Sequence, residues 1–506
     1  MKKLILLFAL LSFLQASTNL ILPLSSSPLR LNPIVGSDIV SRTINQWIFD
    51  SLFIFSADGK KLVPSLAKSY FFKNKTTLII KLRKDVLWQN NDKFNAKDVL
   101  FTFEQLINKN NFTPLSDEFK NNISYLKILN PYKILIKYKR PYFRALAMWN
   151  VGILPFEVLK NEKDLMTSKF NKHPIGTGPY ILKKFQTSKD LVLCANKKYF
   201  KTKANISTIT YKFLPNHNTK FLMLKQGKID FAKLTPLQVT RQISKKFLKK
   251  FNIFESPDFT YTNLTFNLSL KKFQNLKIRE AINLAINKKQ LIKIVFLGHA
   301  QICLSPFAIK SSKLRAKLKL MEKSLDLKKS RKILKSLGFD KAHPLKFTII
   351  TQSLNKNLAL SAEVLQYQLS LANILVKIRV LPWEAFINNI INTKHFECIL
   401  LDWGKPMLPN PSVIFSSKAD KLGGYNLARY HNKKIDELIK QENTTNSLEK
   451  IDYLNYQITK VLQKNLPYIY LYTPNLILAI SKKIQNIKPS FTGIFYNERM
   501  WKIKQD

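Results

Sequence analysis

The chain has 506 residues with 83 Lys+Arg against 32 Asp+Glu, a formal net charge of +51. Its length exceeds what one hydrophobic core sustains, so two or three structural units are expected, and its 45% hydrophobic content is that of a packed globular protein. The lysines are scattered along the whole chain, many in pairs such as Lys183-Lys184, Lys249-Lys250 and Lys482-Lys483, with no basic tail, stripe or nucleic-acid motif. The charge therefore does not call for a specific nucleic-acid partner, although its field favours anionic ligands or an anionic membrane surface at low salt.

The chain opens with Met1-Lys2-Lys3, the apolar run Leu4 to Leu14 and Gln15-Ala16-Ser17. These are the charged, apolar and small-residue regions of a signal peptide, expected over 1–16. The run is shorter than the roughly 20 residues that span a bilayer. No cysteine follows it, so the expectation is a soluble periplasmic product and not a lipoprotein. Cys194, Cys303 and Cys398 are odd in number and far apart, which reads as buried, reduced side chains and not as a disulfide framework or metal cluster.

Asn19 to Leu24 predicts a short buried strand, and Ser25 to Asp38 a turn-rich loop. Helical periodicity from Ile39 through Trp47 to Leu52 is closed by the turn Ser56-Ala57-Asp58-Gly59. Leu78, Ile80 and Leu82 alternate with Ile79, Lys81 and Arg83, which predicts a strand wetted on its second face. Asn95 with Asp98 forms a capping box ahead of Val99-Leu100-Phe101. Ile175 to Tyr180, with Gly176, Thr177, Gly178 and Pro179, cannot continue a helix and predicts a sharp turn into the strand Tyr180 to Lys184. Because that turn precedes a strand, the glycines read as fold-determining and not as a phosphate cradle.

Farther on, Ile278, Ala281, Ile282, Ala285 and Ile286 share a helical face. Asn287 with Gln290 starts another helix, which Gly298 ends. Strands at Leu345 to Thr351 and Glu397 to Leu401 alternate with a helix at Ala362 to Leu371, the α/β signature. No nucleophile lies beside a base, no carboxylates are paired at a catalytic spacing, and none of His173, His217, His299, His343, His395 and His431 is spaced as a ligand pair. Enzyme activity, a bound metal and a cofactor are not expected.

Four segments carry a family resemblance. They are Leu62-Val63-Pro64-Ser65-Leu66-Ala67 leading to Leu82-Arg83-Lys84-Asp85-Val86; Pro174 to Tyr180; Leu264 to Ala300, with Asn275-Leu276-Lys277-Ile278-Arg279-Glu280-Ala281-Ile282; and Asp402-Trp403-Gly404. Gln226-Gly227-Lys228-Ile229-Asp230, Lys329 to Phe339 and Leu466-Pro467-Tyr468-Ile469 fall between and after them in matching order. Together they resemble the extracellular solute-binding proteins of the dipeptide, oligopeptide and nickel family, over essentially the whole mature chain. The resemblance implies an α/β, two-lobed periplasmic-binding-protein fold of the cluster C type, with a hinge and an extra domain inserted in the first lobe. The expected division is 17–41, 168–262 and 479–506 for lobe I, 42–167 for the inserted domain and 263–478 for lobe II.

It further implies a monomer that buries a short peptide as the lobes close and delivers it to the permease and ATPase of an ABC importer. Peptide-binding members hold the peptide extended, through its backbone, and usually place an aspartate shortly after the Trp-Gly pair to neutralise the peptide ammonium. Here Lys405 and Pro406 follow Trp403-Gly404, so the amine must be held otherwise, by Asp402 or Asp38, or the peptide is blocked, longer or acidic. Asp402 should point away from Trp403 on a strand. Trp403 is the leading candidate contact, as an aromatic wall. Trp149, Trp383 and Tyr261 are candidates for which core packing is at least as good a reading. Gly36, Ser37 and Asp38 would offer backbone groups at the cleft mouth, with simple turn chemistry as the alternative. Arg429 and His431 lie in a segment that approaches the cleft in relatives.

Two rivals stand beside peptide capture. The nickel-binding branch shares a proline after the Trp-Gly pair, as Pro406 does here, but Asn150 replaces its chelate-holding arginine and no histidine occurs between Ser416 and Leu422. The other rival is a polyanion- or surface-binding protein on the same fold, marked by steep salt dependence.

Overall fold

The structure is a computed structural model that describes residues 18–504 except 188 and 446. The expected signal peptide lies outside the described residues. No helix among them is long and apolar enough to cross a membrane.

The first strand, Asn19–Leu24, buries Leu20, Leu22 and Leu24 on alternate positions. It pairs in parallel with Thr208–Phe213, and Asp190–Ala195 and Tyr180–Gln186 complete a four-stranded sheet. Helix Ile39–Ile48 packs on it through Trp47, which meets Tyr180 edge-on at 5.0 Å and donates its indole N–H to the Tyr211 hydroxyl at 2.8 Å. The helix stops four residues short of the expected Leu52 because the chain turns extended at Phe49, and Phe53–Phe55 pairs with Leu62–Pro64 in a hairpin. The four residues Phe49-Asp50-Ser51-Leu52 are too few to carry a period that separates those two outcomes.

Gly176 and Gly178 run against the end of that helix. A Cβ on Gly176 would lie 1.8 Å from the Ile48 carbonyl oxygen, and one on Gly178 2.4 Å from that of Trp47. The Gly178 N–H donates to the Ile48 oxygen at 2.8 Å. Only a residue without a side chain allows this approach.

The inserted domain is a four-stranded antiparallel sheet in the order Ala67–Asn74, Thr77–Leu82, Lys133–Tyr138, Ile123–Asn130. Ile79, expected on a wetted face, is buried at 5% exposure because its strand is central, flanked by Phe71 and Leu135. Helix Ala96–Ile107 begins with the expected capping box: Asp98 accepts from the Asn95 N–H at 2.8 Å while Asn95 accepts from Lys97 N–H at 2.9 Å. Its core is continuous with that of the first sheet.

The second lobe is built on Thr260–Phe266, Cys398–Gly404, Leu345–Gln352 and Ile374–Leu381, adjacent in that order. Ile282, Leu291, Ile349, Leu365 and Leu400 fill its separate core. The 14-residue strand Tyr468–Ser481 serves both lobes. Its first half pairs with Thr260–Phe266 and its second half with Phe251–Pro257. The chain thus passes between lobes twice, side by side, at Asp258-Phe259 and at Thr473-Pro474.

Candidate ligand site between the lobes

The site grows from the end of the strand pair beside those crossings. Tyr261 faces Trp403 across the ladder and Thr260 faces Gly404. The Lys405 N–H then donates to the Phe259 carbonyl at 2.7 Å, which fixes Lys405 where the chain leaves the sheet. Its ammonium lies 3.4 Å from the Thr473 hydroxyl and 5.6 Å above the Tyr261 ring.

Next to it is a cavity of about 400 Å³ with walls from both lobes, a size within the range of small-molecule sites. Ser490, Phe491 and Gly493 come from the first lobe, Phe307, Ile309, Arg315 and Lys405 from the second, and Asp258 and Phe259 from the crossing. Of the candidates read from sequence, Lys405 lines this cavity directly. Trp403 and Tyr261 stand behind it: Tyr261 is fully buried, and Trp403, half-buried, meets Tyr425 edge-on at 6.1 Å.

Asp402 points the other way, as strand alternation requires. It accepts from the Thr262 hydroxyl and from Asn355 Nδ2, the latter at 2.7 Å. Partial enclosure raises its pKa against the pull of those two hydrogen bonds.

The remaining candidates lie apart. Asp38 caps helix Ile39–Ile48, accepting the Ser41 N–H at 2.8 Å, with Ser37 before it. Trp149 is sealed in the inserted domain, edge-on to Phe119 at 5.2 Å, with its N–H on the Tyr138 hydroxyl. Asn150 faces a different recess of about 420 Å³ shared with Asn45, Asp50 and Arg499. Trp383 is exposed and stacks on Phe386. Arg429 and His431 surround Asp420 together with Lys394, and the hydrogen bond with His431 and the charges of Arg429 and Lys394 hold the Asp420 carboxyl below its usual range despite its burial. Among the described residues no group of three or more His, Cys, Asp or Glu is arranged to hold a metal ion.

Sequence reasoning missed Phe259, Arg315, Thr473 and Phe491. Arg315 sits in the lysine-rich helix Ser312–Leu320, whose pattern is that of any solvated helix. It also missed the contact that brings the lobes together. Arg144, anchored on Glu118 at 2.7 Å, donates to the Leu408 carbonyl across the cleft, and within the second lobe Lys310 holds the adjoining Met407 carbonyl at 2.9 Å. In the field of these two cations, Glu442 is fully buried with neither carboxyl oxygen hydrogen-bonded, and burial pushes its pKa up to about 8.

Comparison with known proteins places this architecture. The oligopeptide-binding protein AppA of Bacillus subtilis is 25% identical over 515 residues, covering 96% of this chain and 92% of that protein. The nickel-binding protein NikA of Staphylococcus aureus is 26% identical over 449 residues, covering 88% and 87%. The crystal structure of NikZ from Campylobacter jejuni in complex with Ni(L-His) superposes with a TM-score of 0.74 at 27% identity, covering 96% of this chain and 99% of that one. The profile of the bacterial extracellular solute-binding proteins, family 5 Middle, matches residues 61–424. With that match over most of its length and the two-lobed fold, the chain belongs to the family 5 bacterial extracellular solute-binding proteins.

Proposed function

We propose that the protein is the substrate-binding component of an ABC importer, exported to the periplasm as a soluble monomer, which captures a short peptide between its lobes and presents it to the membrane permease. The observation that carries this reading is the cavity walled by both lobes beside the two crossings, since closure over a solute there makes the bound state recognisable to a partner. Relatives named for oligopeptides, dipeptides and glutathione support the peptide class. The ligand drives closure by binding the closed form better. The protein supplies binding and no chemistry.

The similarity to NikZ with Ni(L-His) favours one second reading, capture of a chelated metal. Thermal unfolding of the chain from Ser17, with pools of di- to pentapeptides, blocked peptides, and nickel with and without histidine, separates the two. A ligand at 100 times its Kd adds about 2.7 kcal/mol, visible as a raised midpoint. A rise with peptides supports the proposal; a rise with nickel-histidine alone replaces it with the second reading. A response only to polyanions, lost steeply with salt, points instead to surface binding.

A further inference from the structure

From the charges in the interlobe cavity, and resting on the capture reading above, we infer that the captured solute is a peptide carrying an acidic side chain, whose carboxylate is anchored by Lys405 and Arg315.

Lys405 has three N–H donors, but the neighbours of its ammonium are the Thr473 hydroxyl at 3.4 Å, the Cys303 sulfur at 3.9 Å and the Tyr261 ring. No carboxylate pairs with it among the described residues. Arg315 uses one guanidinium nitrogen, Nη1, on the carbonyls of Ile309 and Lys310 at 2.7 and 2.8 Å, and lays its plane 5.9 Å from the Phe491 ring. It too has no acidic partner among the described residues. The single acid lining the cavity, Asp258, accepts the Phe259 N–H at 2.8 Å and lies 3.9 Å from Lys233. Two cations therefore face a space that holds one acid, itself already balanced.

An ammonium half-withdrawn from water with so few acceptors gains most from a carboxylate, because charge-assisted hydrogen bonds are the strong ones. Arg315 offers the remaining edge of a planar fork suited to the same group. The same field repels a peptide ammonium or a basic side chain at this end of the cavity, which supplies discrimination as well as attraction. In the same cavity, Phe259, Phe307 and Phe491 give apolar surface that accepts a ligand body without selecting one side chain.

The test is calorimetric titration of the chain from Ser17 with Ala-Glu, Ala-Gln, Ala-Lys and N-acetyl-Ala-Glu. The expected result is that both Glu peptides bind at least tenfold tighter than Ala-Gln, with Ala-Lys weakest. Lys405→Met should compress the Glu-to-Gln ratio to within about twofold and Arg315→Met should reduce it in part. Lys183→Met, on an exposed strand edge away from the cavity, should keep the ratio. Circular dichroism and the unliganded melting midpoint show that each variant is folded. Ala-Gln or Ala-Lys binding as tightly as Ala-Glu overturns the inference and leaves peptide capture standing, as does a Glu-to-Gln ratio that survives Lys405→Met. Failure of every peptide to bind overturns the inference together with the reading on which it rests.

Discussion

Glu442 gives the sharpest quantitative prediction. It closes helix Lys433–Asn443 beneath the contact between the lobes, is fully buried, and has both carboxyl oxygens without hydrogen-bond partners among the described residues. Burial raises its pKa from 4.5 to about 8, with Arg144 and Lys310 pulling weakly the other way. The folded state therefore binds this proton more tightly than the unfolded chain. Stability from the neutral acid is fully present below about pH 4.5 and is lost progressively as pH rises towards 8. At about 1.36 kcal/mol per pH unit across that window, the loss at pH 7 is about 3 kcal/mol. Glu442→Gln keeps the shape and removes the titration. Urea unfolding at pH 5, 6.5 and 8 should show the variant close to the parent at pH 5 and increasingly more stable above it. Taking the difference between the two proteins cancels other titrating groups. A difference that stays flat across those three values refutes the reasoning, because it would mean that the carboxylate is solvated or paired in the folded protein.

Gly178→Ala brings a methyl group within 2.4 Å of the Trp47 carbonyl oxygen; backbone against backbone cannot yield cheaply, so the melting midpoint should fall by more than 5 °C, corresponding to roughly 1–2 kcal/mol or more. An unchanged midpoint would mean the turn is looser than described. Arg144→Ala removes the donor to the Leu408 carbonyl and leaves Glu118 without its ion pair. The unliganded protein should then sample open forms more often, read as a larger radius of gyration in solution scattering and a faster ligand off-rate, and identical scattering for both proteins would count against Arg144 as a lobe contact.

Much of the architecture was legible because it depends on local signals. The strand at Leu20, Leu22 and Leu24, the Asn95/Asp98 capping box and the helix starting after Asn287 each carry their information within a few residues. The helix end at Ile48 was not, since Phe49-Asp50-Ser51-Leu52 is too short to show a period whether it winds or extends, and what settles it is the strand partner at Leu62–Pro64. The glycines at 176 and 178 announced a turn, while the reason for them, the carbonyls of Trp47 and Ile48, lies 128 and more residues earlier.

The site shows the same division more strongly. Strand alternation at 402 and 403 is a local rule, so the opposed directions of Asp402 and Trp403 follow from spacing alone. The surroundings of Lys405 do not, because Phe259, Cys303, Thr473 and Phe491 reach it from four separate stretches of chain, two of them at the crossings between lobes. From sequence, Lys405 is marked only by its place after Trp403-Gly404, and nothing in the spacing of the 83 basic residues tells what surrounds its ammonium. What distinguishes it is that its ammonium is drawn into a two-lobed cavity whose one acid is already engaged. A scattered surface charge contributes to a diffuse field that salt screens within about 10 Å, whereas a cation held in a closing cleft acts on one ligand group at contact. High net charge and ligand preference are therefore separable here. Rising salt should weaken the first and leave the second, so a Glu-over-Gln preference that persists at 0.5 M salt would assign it to the cavity and not to the overall charge of the protein.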